Sequence, residues 1–165
     1  NLPDVEIKAI CADTINLPNQ DTAPGVWREW LDVEAEKNLW SALNALRAEG
    51  VLQSAHDCSE GGLWVSLVEA CLDKDLSFAV DIQSGLKPHE LLFSESQSRA
   101  VITIANDQIE KAQALLQDSK LVFQQIGEVK TGDYSFGLNG QTVLSGALDA
   151  MTSAHREGFE KGIFG

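Results

Sequence analysis

The stretch Ser54-Ala55-His56-Asp57-Cys58-Ser59-Glu60-Gly61-Gly62-Leu63 holds an imidazole, two carboxylates, a thiol and two hydroxyls directly before a glycine pair. A short apolar run ends in these polar groups and then passes into an apolar stretch of helical length. A Gly-rich turn from strand to helix exposes backbone N–H groups at the positive end of a helix dipole, which suits phosphate or carboxylate. The same residues also fit a tight connection in which Asp57 and Ser59 cap the following helix. A hydrolytic triad of His56, Asp57 and Ser59 is excluded on geometry. Neighbours on an extended segment point to opposite faces, so Asp57 cannot orient the His56 ring.

A second cluster, Glu95-Ser96-Gln97-Ser98-Arg99, joins a carboxylate, two hydroxyls, an amide and a guanidinium just before an apolar run. Such groups suit a polyhydroxylated, phosphorylated ligand. They equally suit a solvated turn with Arg99 in a surface ion pair. His89 and His155 have no metal-ligand spacing to a cysteine or acid, and both read as structural.

The elements that must position these clusters follow from periodicity. Residues 5–10 alternate as a strand, and 16–25, with Pro18 and Pro24, form a loop. Asp32 is a suitable N-cap, followed by Glu34 and Glu36 in a first turn that favours acids. Leu39, Leu43 and Leu46 make a helical stripe that Gly50 closes at the C′ position. Residues 51–56 form a strand, and 62–72 a central helix buried nearly all round. A half-buried strand follows at 76–82, a helical turn at 88–94 and a strand at 100–104. Asp107 is expected to cap a helix with the stripe Ile109, Ala112 and Leu116. Residues 121–129 are extended. Segments 134–138 and 141–144 flank Asn139-Gly140 as a hairpin with a type I′ turn. A last helix carries Leu148, Met151, His155 and Phe159 on one face. The fold class is α/β in the broad sense (α+β), with a mixed sheet of about six strands packed against helices.

Composition sets the outer bounds. A chain of 165 residues with 44% apolar and 22% charged residues makes one globular domain with a real core. Twelve Lys and Arg against 25 acids give a net charge of −13, which argues against nucleic acid and anionic membranes as partners. Three cysteines without CxxC spacing fit a reducing compartment, so a cytoplasmic location is expected, with Cys71 a buried apolar residue. No run of about 18 apolar residues is present and no secretory leader is recognisable. The chain opens on Asn1 rather than Met, so an upstream segment is expected.

Taken together, the two clusters resemble the C-terminal domain of the aminoimidazole ribonucleotide synthetase superfamily, a PurM C-terminal-like fold. Within that superfamily the likeness is to the last such domain of the phosphoribosylformylglycinamidine synthase family. The stretch 54–63, the string Leu92-Phe93-Ser94-Glu95-Ser96-Gln97-Ser98-Arg99, and Ile126-Gly127-Glu128-Val129 before a hairpin and final helix carry it. His56 with the following Ser-Glu-Gly-Gly pattern marks the second of two such domains. The likeness runs from about Asp32 to the end. Residues 1–25 read as an unassigned strand and loop, and 26–165 as the domain.

The resemblance implies a domain of an ATP-dependent ligase of purine biosynthesis. In that reaction ATP phosphorylates the amide oxygen of formylglycinamide ribonucleotide, and glutamine-derived ammonia displaces the phosphate to give the amidine. It implies ATP and Mg²⁺ as cofactors of the complete enzyme. Its partners would be an ATP-binding N-terminal domain, a glutaminase subunit or domain, and the phosphorylated ribosyl substrate. By resemblance, Asp57 is a Mg²⁺ ligand; Glu95, Ser96, Gln97 and Arg99 contact substrate; and Ser59, Gly61 and Gly62 lie near phosphate. No residue of this chain is expected to be catalytic, and the isolated chain is expected to be inactive. There is no Walker-type Gly-rich loop with a lysine. The alternatives are a sister ATP-dependent enzyme of selenophosphate synthetase, thiamine-phosphate kinase or hydrogenase-maturation type, or a non-catalytic assembly module.

Overall fold

In the computed structural model, the described residues are 5–12, 32–72 and 75–164, and of 5–12 and 159–164 the backbone alone is described. Strand β1 spans Val5–Ala12, helix α1 Val33–Ala48, β2 Leu52–Asp57, α2 Gly62–Cys71, β3 Ser77–Ile82 and α3 Pro88–Phe93. After β4 (Arg99–Ala105) come a 3-10 turn (Asn106–Gln108), α4 (Ile109–Leu116), β5 (Leu121–Lys130), β6 (Tyr134–Leu138), β7 (Gln141–Gly146) and α5 (Leu148–Phe164). The strands form one seven-stranded sheet in the order β2-β4-β1-β5-β3-β6-β7. Every neighbouring pair is antiparallel except β3 and β6. The mixed sheet is therefore as the sequence suggested, with seven strands against about six expected.

The seventh comes from the N-terminal stretch. β1 lies between β4 and β5, pairing Val5 with Ala105 and Ala12 with Leu121. β1, in the stretch read as an unassigned strand and loop, is an inner strand of the sheet. Alternation at 5–10 shows a strand, but nothing local names partners about a hundred residues away. The loop expected at 16–25 lies outside the described residues.

Two apolar layers cover opposite faces of the sheet, as the alternation along β4 shows. Leu63, Leu67, Val68, Phe78, Val80, Ile126 and Phe136 share one cluster with Leu91, Leu92 and Met151. Leu39, Ala42 and Leu46 of α1 meet Ile102, Ile104, Ala112 and Leu116 in the other. β4 serves both, with Val101 in the first layer and Ala100, Ile102 and Ile104 in the second. This is why 100–104 reads as a continuous apolar run. Trp64 of α2 stacks edge-on against Phe78 (6.0 Å) and Tyr134 (5.5 Å), which ties α2 to β3 and β6.

Local chemistry sets the helix ends. The Asp32 carboxylate accepts the N–H groups of Glu34 and Ala35, both at 3.0 Å. Gly50 follows the C-cap at φ +67°, where a side chain would be strained. In the β6–β7 hairpin both Asn139 (φ +54°) and Gly140 (φ +77°) are left-handed, as the expected turn requires. Asp81 accepts the Gly140 N–H and so fixes that turn to the end of β3.

Three expectations need correction. Asp107 does not cap α4; it sits in the 3-10 turn that precedes it, and the N-cap position is Gln108. Helix α2 is not buried nearly all round, since Glu69 is exposed and Trp64, Val65 and Ala70 are half-buried. The inner face of α5 is described only at Leu148 and Met151. His155 lies on its exposed side, 3.9 Å from Glu69 of α2, and the Phe159 side chain lies outside the described residues.

Candidate functional site

Antiparallel pairing of β2 with β4 brings the two clusters together. Asp57 pairs with Ala100, and the Cys58 N–H donates to the Arg99 carbonyl at 3.1 Å. Past β2, Gly61 (φ +75°) and Gly62 (φ +63°) turn the chain into α2, and the Gly62 N–H donates to the Ser59 carbonyl. The Gly61 N–H then donates to Glu95 Oε1 at 2.9 Å, across 34 residues. A Cβ on Gly62 would lie 2.6 Å from the Ser94 carbonyl oxygen and 2.8 Å from that of Leu92. Glycine there lets the start of α2 touch the end of α3. Buried Ser66 locks the turn from inside, its one hydroxyl proton shared between the Asp57 carbonyl (2.7 Å) and the Gly62 carbonyl (2.9 Å).

The capping role for Asp57 and Ser59 is not found. The N-cap of α2 is Gly61, with no side-chain bond to it. Two successive left-handed residues place Asp57 and Ser59 ahead of the turn. The charge that complements this helix end comes from Glu95, in the other cluster.

The second cluster is internally tied. Ser94 Oγ and Ser96 Oγ share a hydrogen bond of 2.6 Å, and Arg99 Nη1 donates to the Ser94 carbonyl at 3.1 Å. Among the described residues Arg99 has no carboxylate within ion-pair distance, so its fork staples the loop instead of pairing on the surface. Asp57, Ser59, Glu60 and Gln97 are exposed, and among the described residues their side chains make no hydrogen bond within the chain. They present free polar groups around the Gly61–Glu95 contact. His56 is half-buried and Asp57 exposed, on alternate faces of β2, as the exclusion of a triad required.

Sequence reasoning missed one residue here. Glu36 of α1 accepts from Ser98 Oγ at 2.7 Å, and its other oxygen accepts from Trp40 Nε1 at 2.8 Å. Its local signal is that of any first-turn acid, and nothing in the chain near it points to a partner 62 residues on.

No group of three His, Cys, Asp or Glu side chains able to hold a metal exists among the described residues. Mg²⁺ keeps several waters and commonly takes one or two carboxylates plus phosphate oxygens. A lone exposed Asp57 fits a single contributed ligand and not a protein-only cage.

Burial pushes the Cys58 thiol above its ordinary value, against the opposing pull of the Arg99 charge and a Ser66 hydrogen bond. The unfolded chain therefore releases this proton first as pH rises. Stability is full below the ordinary thiol range and falls as pH climbs toward the raised folded value. Urea midpoints are expected to hold from pH 7 to 8 and to decline above about pH 9. A smaller decline in Cys58→Ala would assign the effect to this thiol, and an identical decline would remove that assignment.

Residues 25–138 match the family described as AIR synthase related protein, C-terminal domain. The chain belongs to this family. Both clusters fall inside the matched block. The chain is 35% identical over 127 residues to the phosphoribosylformylglycinamidine synthase subunit PurL of Moorella thermoacetica, covering 77% of this chain and 17% of that protein. It is also 35% identical over 154 residues to the PurL subunit of Chlorobium chlorochromatii, covering 88% of this chain and 19% of that one. It thus spans less than a fifth of the length of these curated relatives. Among solved structures, phosphoribosylformylglycinamidine synthase II of Thermotoga maritima superposes at a TM-score of 0.75 with 20% identity. The superposition covers 91% of this chain and 26% of that one. That likeness establishes the shared AIR synthase related fold. No helix among the described residues is long and apolar enough to cross a membrane.

Proposed function

We propose that this chain is the last AIR synthase related C-terminal domain of a phosphoribosylformylglycinamidine synthase, and that its two clusters form the substrate-facing edge of that enzyme. The contact between Gly61 and Glu95 carries the reading, because it makes one site of two segments that no local feature links. Gln97 and Arg99 would hold the phosphorylated ribosyl substrate, formylglycinamide ribonucleotide. The turn of Ser59, Gly61 and Gly62 would face its phosphate through the free Ser59 hydroxyl, because the Gly61 and Gly62 N–H groups are already bonded to Glu95 and to the Ser59 carbonyl. Glu95 Oε1 and Ser96 Oγ are already hydrogen-bonded within the chain, so they shape the site; Glu95 would contact substrate with Oε2 and Ser96 with the remaining hydrogen-bonding capacity of its hydroxyl.

ATP, bound by a preceding domain, supplies the phosphoryl group that turns the amide oxygen into a leaving group. Asp57 would contribute one carboxylate oxygen to the accompanying Mg²⁺. These residues hold and orient the substrate, and the glutaminase supplies ammonia. A reducing, cytoplasmic setting is part of this proposal.

The test is an assay for ATP-, Mg²⁺- and ammonia-dependent amidine formation by the full-length polypeptide that carries this segment. Turnover by that polypeptide and none by the 165-residue chain alone is expected. Phosphate release by the short chain with substrate and ATP present would overturn the reading.

A further inference from the structure

Ser98 lies between the two side chains expected to hold substrate, Gln97 and Arg99, and its backbone is unusual. It is a non-glycine residue at φ +59°, buried to 8% exposure, in the step that feeds the loop into β4. Left-handed backbone is disfavoured for a residue with a Cβ and persists where the surroundings over-determine it. Here the surroundings can be named. Ser98 Oγ donates to Glu36 Oε2 at 2.7 Å, a charge-assisted bond. The carboxylate is itself fixed by the Trp40 indole N–H on Oε1 at 2.8 Å, one helical turn further along α1. Each oxygen of Glu36 thus has one directed donor.

We infer that Glu36 is a positioning residue for the substrate loop: it holds Ser98 in its left-handed turn and so sets the directions in which Gln97 and Arg99 project. On this account α1 is more than a cover for the sheet. It is a strut that fixes the ligand-binding segment from the side away from α2. Glu95 anchors the same loop to the α2 turn, so the loop is held from two helices at once. In this role Glu36 acts through Ser98 and not by its own contact with substrate.

This inference rests on the proposed function, and its test separates the two. In the full-length enzyme, KM for formylglycinamide ribonucleotide and KM for ATP are measured for Glu36→Gln, Ser98→Ala, the double variant and Gln97→Ala. Glu36→Gln keeps the shape and removes the charge; Ser98→Ala removes one hydroxyl. Each is expected to raise KM for the ribonucleotide about tenfold with KM for ATP within twofold. The double variant is expected to be no worse than Ser98→Ala alone, because both changes act on the same bond, one by removing its charge assistance and the other by removing its donor. Gln97→Ala is expected to raise the same KM. Should Gln97→Ala raise it while Glu36→Gln and Ser98→Ala leave it unchanged, the positioning role is overturned and the site reading stands. Should Gln97→Ala also leave it unchanged, the site reading falls and takes the inference with it. Equal rises in both KM values, or additive effects in the double variant, would mark a general structural role and overturn the inference.

Discussion

Gly62→Ala is expected to destabilise the domain by about 3 kcal/mol, combining roughly 1–2 for a Cβ at left-handed φ with roughly 1–3 for overpacking. At this chain length that lowers Tm by about 10 °C. The new Cβ would sit 2.6 Å from the Ser94 carbonyl oxygen, 2.8 Å from that of Leu92 and 3.0 Å from the Phe93 carbonyl carbon. All three are backbone atoms, so no side chain can swing away to make room. Relief requires α2 and the end of α3 to separate, which pulls the Gly61 N–H from Glu95. Binding should therefore be lost along with stability. Two controls sharpen the result. Gly50 has a positive φ but open space around it, so Gly50→Ala should cost only about 1 kcal/mol. Gly85 has open space and no positive φ, so Gly85→Ala should be near neutral. Thermal unfolding of the three variants reads the order directly, and a Gly62→Ala protein as stable as Gly85→Ala would contradict the close contact.

Gly127→Ala carries the largest expected effect, of about 3 kcal/mol or more, at the upper end of overpacking costs. A Cβ there would fall 2.0 Å from the Ala79 carbonyl oxygen and 2.8 Å from the Val80 Cα. Gly127 pairs with Val80 of β3 on one side and Ile7 of β1 on the other, so the clash lies in the middle of the sheet. Next to it, the register of β1 against β5 shifts between Ile7 and Lys8, and Ile126 is buried in the core. The local bulge and the bare glycine let β5 lie close against β3. The variant is expected to accumulate as insoluble protein or to unfold at much lower urea. A soluble Gly127→Ala protein with an unchanged urea midpoint would show that β3 and β5 do not approach so closely.

The legible parts of this chain are those governed by neighbours in sequence. Asp32 with Glu34 and Glu36, the stripe ending at Leu46 and Gly50, and Asn139-Gly140 each carry their own instructions. Capping, periodicity and φ preference act over a few residues. The Asp57 and Ser59 capping role failed because a glycine pair redirected the chain, and the compensating carboxylate came from Glu95. Asp107 failed because a 3-10 turn intervened, which a capping residue alone does not reveal. The position of β1 between β4 and β5, and the bond from Glu36 to Ser98, were not legible, because pairing partners across the sheet leave no local mark. Within the site, residue types were legible and their division of labour was not. Glu95 and Arg99 look alike in sequence to free ligand-binding groups. In the fold, each holds backbone, while Asp57 and Gln97 stay open.

Gln97 gives the cleanest probe of the central claim, that the joined clusters bind the phosphorylated ribosyl substrate. Its side chain is exposed and makes no hydrogen bond among the described residues, so Gln97→Ala should leave stability unchanged. Calorimetric titration of formylglycinamide ribonucleotide into the full-length protein and its Gln97→Ala variant measures the effect directly. The expected result is a Kd weakened about tenfold, or about 1.4 kcal/mol, with the Tm of the free protein unmoved. Equal Kd values for the two proteins would contradict the claim.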